Sequence, residues 1–263
     1  MDSYLPPDLE NLVASYEPSE ALTLPFSRQR IIVREMTGLT PNDPDVITSY
    51  LSNPDLATLA QDETIWPQLD ELYPPEQVED LLLHAGTPDA MNELLRRRQI
   101  EAYDLTNIEK ITHFMALLRN DMFPEAHEFF DVLEQAFVDD YEDPEQQQFL
   151  LALSSEDLDL LLRYEEEPGG EDTTAMLPVV YYLTGAVEPF LDLMSKLDAR
   201  SRSIMMFQLD GWQGVVWDFQ NPLVLAYIEA YPDTSESEAF RSGDMDVLRR
   251  LKHASFHPED RGW

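Results

Sequence analysis

Apolar residues along this chain recur at the three- and four-residue intervals of a helix face. Val78, Leu81 and Leu82 are spaced i, i+3, i+4, as are Met91, Leu94 and Leu95. Ile108, Ile111, Met115 and Leu118 extend the pattern, followed by Ala126, Phe129, Phe130 and Leu133. Farther on come Leu158, Leu161 and Leu162, then Val187, Phe190, Leu191 and Met194, and finally Met245, Leu248 and Leu251. Spacing of this kind gives each helix one apolar face to bury. Each stripe lasts about two to three turns before Pro, Gly, Asn, Asp or Ser interrupts it. Strict apolar–polar alternation is scarce, and Asp210-Gly211 has helical flanks rather than strand-like ones, so no sheet is expected. Asn53-Pro54 and Asn221-Pro222 read as helix starts, a capping side chain followed by a proline that needs no hydrogen-bond acceptor. The pattern predicts an all-α fold of many short helices.

The helices come in pairs. Six turns, at Gly86, Asn120, Ser155, Gly185, Gly211 and Gly243, lie 34, 35, 30, 26 and 32 residues apart. The helices predicted before them are Val78–His84, Ile111–Leu118, Gln147–Leu153, Val179–Leu183, Ser203–Gln208 and Ser237–Phe240. Those predicted after them are Ala90–Arg98, Ala126–Ala136, Leu158–Tyr164, Val187–Leu197, Gly214–Phe219 and Met245–His253. A helix–turn–helix unit recurring near 33 residues is the mark of a solenoid, in which each pair completes its core against its neighbours. On this reading Phe129, Phe130, Phe190, Trp212 and Trp217 pack in the core.

Leu177-Pro178-Val179-Val180-Tyr181-Tyr182-Leu183-Thr184-Gly185 resembles the ankyrin signature, with Pro178 and Gly185 at the signature's separation. Ala186 to Met194 resembles the second ankyrin helix. His84 to Leu95 and Ser242 to Leu251 are similar to the turn and second helix of other repeats. The signature's threonine and histidine are missing, and Tyr182 and Leu183 stand at its tandem alanines. The resemblance spans residues 76–254 and implies short helix pairs stacked as an ankyrin-like solenoid, or another helical-pair solenoid.

Residues 1–75 are Pro-rich, with Thr40-Pro41-Asn42-Asp43-Pro44 as a loop and Tyr73-Pro74-Pro75 as the joint to the repeats. Leu5-Pro6-Pro7-Asp8-Leu9-Glu10-Asn11-Leu12-Val13-Ala14-Ser15-Tyr16 resembles the opening of an F-box. That resemblance implies that Leu5, Pro6, Leu9, Leu12 and Val13 recruit a ubiquitin-ligase adaptor while the repeats choose the substrate. The other reading is an N-terminal helical capping region that covers the first repeat. An F-box joined to ankyrin-like repeats resembles proteins of large DNA viruses. Residues 255–263 read as a C-terminal tail.

Charge narrows the function. Of 263 residues, 52 are Asp or Glu and 17 are Lys or Arg, a formal net charge of −35. Direct nucleic-acid binding is disfavoured, because it is driven by cations that release phosphate counterions, and anionic membranes are disfavoured likewise. The acids concentrate mid-chain, at Asp139, Asp140, Glu142, Asp143 and Glu145, then at Glu165, Glu166 and Glu167. The bases form small groups, Arg96, Arg97 and Arg98 among them, and only Lys110, Lys196 and Lys252 are lysines. Arginine-dominated bases favour bidentate pairing.

No catalytic chemistry is legible. Cysteine is absent, which removes disulfides, thiolate nucleophiles and zinc–thiolate sites. There is no phosphate-binding glycine loop, no nucleophile elbow and no zinc-protease motif. His253 and His257 have i, i+4 spacing, but Pro258 ends the helix there, so no metal is expected and no cofactor is implied. No signal peptide or membrane span is read, and the expected location is the cytoplasm, that of the host cell for a viral protein. The expected function is a non-enzymatic protein–protein interaction module. Asp139, Asp140, Glu142, Asp143, Glu165, Glu166 and Glu167 would meet a basic partner surface, since complementary potential speeds encounter. Alternatives are an acidic mimic of nucleic acid that blocks a DNA- or RNA-binding protein, or a component of a larger particle with Trp217 and Trp263 as contacts. Mimicry would compete with DNA and collapse with added salt.

Overall fold

The structure, a computed structural model, describes residues 21–138, 144–168, 170, 173–174, 177–208 and 219–256, excepting the side chains of 134–138, 208 and 255–256. Among these residues every regular element is helical. The chain divides into two compact units, Met1–Val132 and Leu133–Trp263.

In the first unit α1 (Phe26–Thr37), α2 (Pro44–Ser52), α3 (Leu56–Leu59) and α4 (Trp66–Leu72) precede three further helices. These are α5 (Pro75–His84), α6 (Pro88–Arg98) and α7 (Asn107–Arg119), followed by α8 (Phe123–Val138). Short 3₁₀ turns at Glu63–Ile65 and Ala102–Asp104 link them. Starts are set by side chains that satisfy otherwise orphaned N–H groups. Asp43 accepts from the amide of Asp45, Thr87 from Ala90, and Thr106 from Glu109, whose carboxylate answers the amide of Thr106. Prolines stand in the first turn of α2, α5 and α6, where their missing donor costs nothing.

Asn53-Pro54 does not begin a helix. Asn53 closes α2, and α3 begins after Asp55, which accepts from the amide of Ala57. An Asp one residue beyond the proline supplies the same cap, and the proline extends the connection.

The apolar core of this unit runs from Ala21 through Ile32, Leu51, Leu69 and Leu82 to Leu105. It crosses the Tyr73-Pro74-Pro75 joint, and α5 packs on α3 and α4 as well as on α6 and α7. Helix α7 is buried from Lys110 to Leu118, well beyond its Ile111–Met115–Leu118 stripe. Such a helix is covered on several sides. It packs on α5, and Phe114 meets Phe130 of α8 edge-on at 6.3 Å.

The second unit continues with α9 (Pro144–Leu151), α10 (Ser155–Glu166), α11 (Leu177–Thr184), α12 (Val187–Lys196) and α13 (Ala199–Gln208). It ends with α14 (Pro222–Ala230), α15 (Ser235–Ser242) and α16 (Met245–Phe256). Packing within pairs joins α11 to α12 and α15 to α16, while α9 packs on α11, α10 on α12 and α12 on α14. Asn221-Pro222 does start a helix, with the Asn221 side chain accepting from the amide of Leu223 at 2.9 Å. Phe190 is fully buried, whereas Phe129 and Phe130 are only half-buried; Trp212 and Trp217 lie outside the described residues. The helix expected over 214–219 lies almost wholly outside them too.

Candidate functional site

Leu5, Pro6, Leu9, Leu12 and Val13 lie outside the described residues, as do Asp139, Asp140, Glu142 and Asp143. The other three predicted contact residues close α10. Glu166 and Glu167 are exposed, but Glu165 turns back onto its own loop. Its carboxylate accepts from the Thr174 amide at 2.6 Å and from the Thr173 hydroxyl at 3.1 Å. Glu165 thus ties the end of α10 to Thr173 and Thr174, and Glu166 and Glu167 present charge to solvent.

The Arg96-Arg97-Arg98 run lies at the end of α6, where cations meet the negative end of the helix dipole. The three arginines draw on four acids. Arg96 forks onto Glu93 at 2.6 and 2.7 Å. Arg97 grips Asp70 of α4 through both terminal nitrogens at 2.6 and 3.0 Å, and reaches Glu93 through Nε at 2.8 Å. Arg98 donates to Glu79 of α5 at 2.8 Å and to Glu109 of α7 at 2.6 Å. Four helices are stitched together in this way. Hydrogen bonds from Arg96 hold the Glu93 carboxyl below the usual glutamate range, against the opposing pull of burial. Burial pushes the Glu109 carboxyl up, but hydrogen bonds from Arg98 and Thr106 outweigh it and leave it below that range.

A pocket of about 220 Å³ opens between α6, α7 and α8. Its lining is apolar at depth, from Met91, Leu95, Leu117, Phe129 and Val132. Glu125 and Glu128 of α8 stand at its rim, the latter exposed. Among the described residues neither carboxylate has an ion-pair or hydrogen-bond partner. His113 of α7 contributes to the wall, 2% exposed, with its ring edge-on to Phe129 at 4.9 Å. Burial pushes its imidazole down to about 4, opposed by a hydrogen bond to the Leu83 backbone. Its Nδ1 is buried with no hydrogen-bond partner.

Periodicity did not single out this pocket, because Met91, Leu95 and Phe129 read as ordinary members of their stripes and no local pattern brings the three helices together. The legible signal was His113 itself, a polar side chain between Ile111 and Met115 on a helix expected to face the core. Among the described residues no group of three or more His, Asp and Glu side chains could hold a metal ion. No described helix is long and apolar enough to cross a membrane. Compared with protein-family models, with curated proteins and with solved structures, the chain matches none of them.

Proposed function

We propose that this chain is a non-catalytic interaction module, an ankyrin-like stack of helix pairs that docks a basic surface of another protein. The observation that carries this reading is the fate of the cations. Arg96, Arg97 and Arg98 are committed to Asp70, Glu79, Glu93 and Glu109, Lys196 to Asp159 at 2.6 Å, and Arg249 to Asp246 at 3.3 Å. With 17 bases against 52 acids, even complete internal pairing would leave most carboxylates without a cation of this chain. Glu166 and Glu167 at the end of α10 are among these. Such a surface favours encounter with a cationic partner and rejects anionic ones.

The test is capture from a cell lysate in parallel with a charge-reversed protein. That variant carries lysine at Asp139, Asp140, Glu142, Asp143, Glu166 and Glu167, with unchanged helical circular dichroism as the folding control. A basic partner retained by the parent and lost with the variant is the expected result. Equal recovery by both proteins overturns acidic docking.

A further inference from the structure

We infer that the pocket between α6, α7 and α8 anchors one apolar side chain of a basic protein segment. This deepens the interaction reading above and rests on it. The pocket's size suits a single small apolar group. Ligand and cofactor pockets span about 300–1,000 Å³, whereas a cavity of about 150 Å³ already accepts benzene. At about 220 Å³ the space suits one leucine- or phenylalanine-sized group. Chemistry then sets its neighbours. An apolar floor of Met91, Leu117 and Val132 rewards an aliphatic or aromatic group, and the rim carries only negative charge, from Glu125 and Glu128.

Among the described residues that charge is uncommitted. Elsewhere in this unit Glu79, Glu93 and Glu109 each meet an arginine of the same chain. Glu125 and Glu128 meet none among the described residues, so an incoming arginine or lysine would find two free acceptors beside an apolar hole. His113 contributes to the same wall. Anchors of this kind, an apolar group in a pocket flanked by complementary charge, carry most of the energy of protein interfaces.

The probe is acetyl-Arg-Leu-Arg-amide, titrated into protein bearing ¹³C-methyl methionine, with the Met91 signal assigned through Met91→Leu. The Met91 methyl should shift and saturate. Replacing the central leucine by alanine should weaken binding about tenfold, from lost apolar burial, and glutamate flanks should weaken it further. Ala102→Phe, which fills the pocket from its half-buried edge, should abolish the shift. The double variant Glu125→Lys, Glu128→Lys should invert the preference for basic flanks without touching the core.

Equal binding of the leucine and alanine peptides overturns the anchor, as does retained binding by Ala102→Phe. Equal shifts with the neutral guest N-acetyl-leucine amide assign the pocket to uncharged small molecules and overturn it too. Movement of Met91 on raising protein concentration alone assigns it to a second copy of this chain, with the same consequence. Shifts at other residues with Met91 unmoved reject the pocket and leave acidic docking standing. No shift anywhere rejects the pocket, and acidic docking is then judged by the charge-reversal capture alone.

Discussion

Gly86, between α5 and α6, has φ = 64°, a left-handed conformation that L side chains rarely adopt. A Cβ there would also run into the Ala116 carbonyl and the Asn120 side chain. Asn120 is held in place by donating to the carbonyls of Ala85 and Ala116, both at 2.9 Å, and by accepting from Gln61 at 2.9 Å. At Gly185 the backbone is equally left-handed, with φ = 72°, but an added Cβ meets nothing. Gly185→Ala should therefore lose only the conformational term, about 1–2 kcal/mol. Gly86→Ala should lose about 3 kcal/mol or more, since backbone overlap is added to that term. Urea unfolding of the two variants would measure the difference, and equal losses would contradict the crowding at Gly86. Both glycines were legible in the sequence as turn markers. Their different costs were not, because the obstacle at Gly86 comes from a helix some thirty residues later.

His113 gives a second prediction at this scale. Unfolded, it takes up its proton near the ordinary value of 6.5; folded, burial holds it to about 4. The stabilisation from burying the neutral ring is complete above 6.5, declines as the pH falls below that value, and levels off near 4. His113→Gln should remove this slope, read from urea midpoints between pH 7 and pH 4. An unchanged slope would mean that another group carries it.

At the level of elements, the ion pairs at the end of α6 decide how α4, α5 and α7 meet it. Glu93 and Glu109 have folded pKa values below the ordinary 4.5. A lowered carboxylate stabilises fully above its unfolded value and loses that contribution as the pH falls through the folded one. The first unit should therefore weaken below about pH 4.5, a window lower than that of His113. Glu109→Gln should be less stable than the parent at neutral pH and should lose less on acidification. Parallel acid titrations followed by circular dichroism would separate the two cases. These side chains are 12–27% exposed apart from Arg96 and Asp70, so the pairs are less screened than surface bridges.

Helix identity was mostly legible where a stripe was amphipathic. Predicted Val78–His84 and Leu158–Tyr164 lie inside observed Pro75–His84 and Ser155–Glu166. The added first turns belong to Pro75, the Ser154 cap and similar residues that carry no hydrophobic signal. Helix α14, Pro-Leu-Val-Leu-Ala-Tyr-Ile-Glu-Ala, showed only its start. Apolar residues on nearly every side leave no stripe to read. Its burial of Leu223, Val224 and Tyr227 follows from packing against α12 and α15.

For the whole molecule, a net charge of −35 sets like-charge repulsion against the ion pairs seen among the described residues. Self-repulsion opposes compaction, and salt screens it over about 10 Å at 0.1 M. Raising sodium chloride from about 0.01 to 0.15 M should raise the thermal midpoint, even though the same salt weakens each surface bridge. A midpoint that falls instead would give the bridges the larger share of stability. The same screening should loosen the docking of a basic partner, so stability and binding should respond to salt in opposite directions.

The helical class of the described residues, the short helices, the turn glycines Gly86, Gly185 and Gly243 and the acidic excess followed from the order of residues alone, because each depends on local backbone geometry or on counting charge; Gly211 lies outside the described residues. Partnership between elements did not. Arg98 bridging Glu79 to Glu109, α7 becoming buried beyond its stripe, and a pocket assembled from α6, α7 and α8 with two unmatched glutamates at its rim all join residues distant along the chain. Which carboxylates are neutralised and which stay free is set by where folding brings the few arginines, and that is a property of the packed structure.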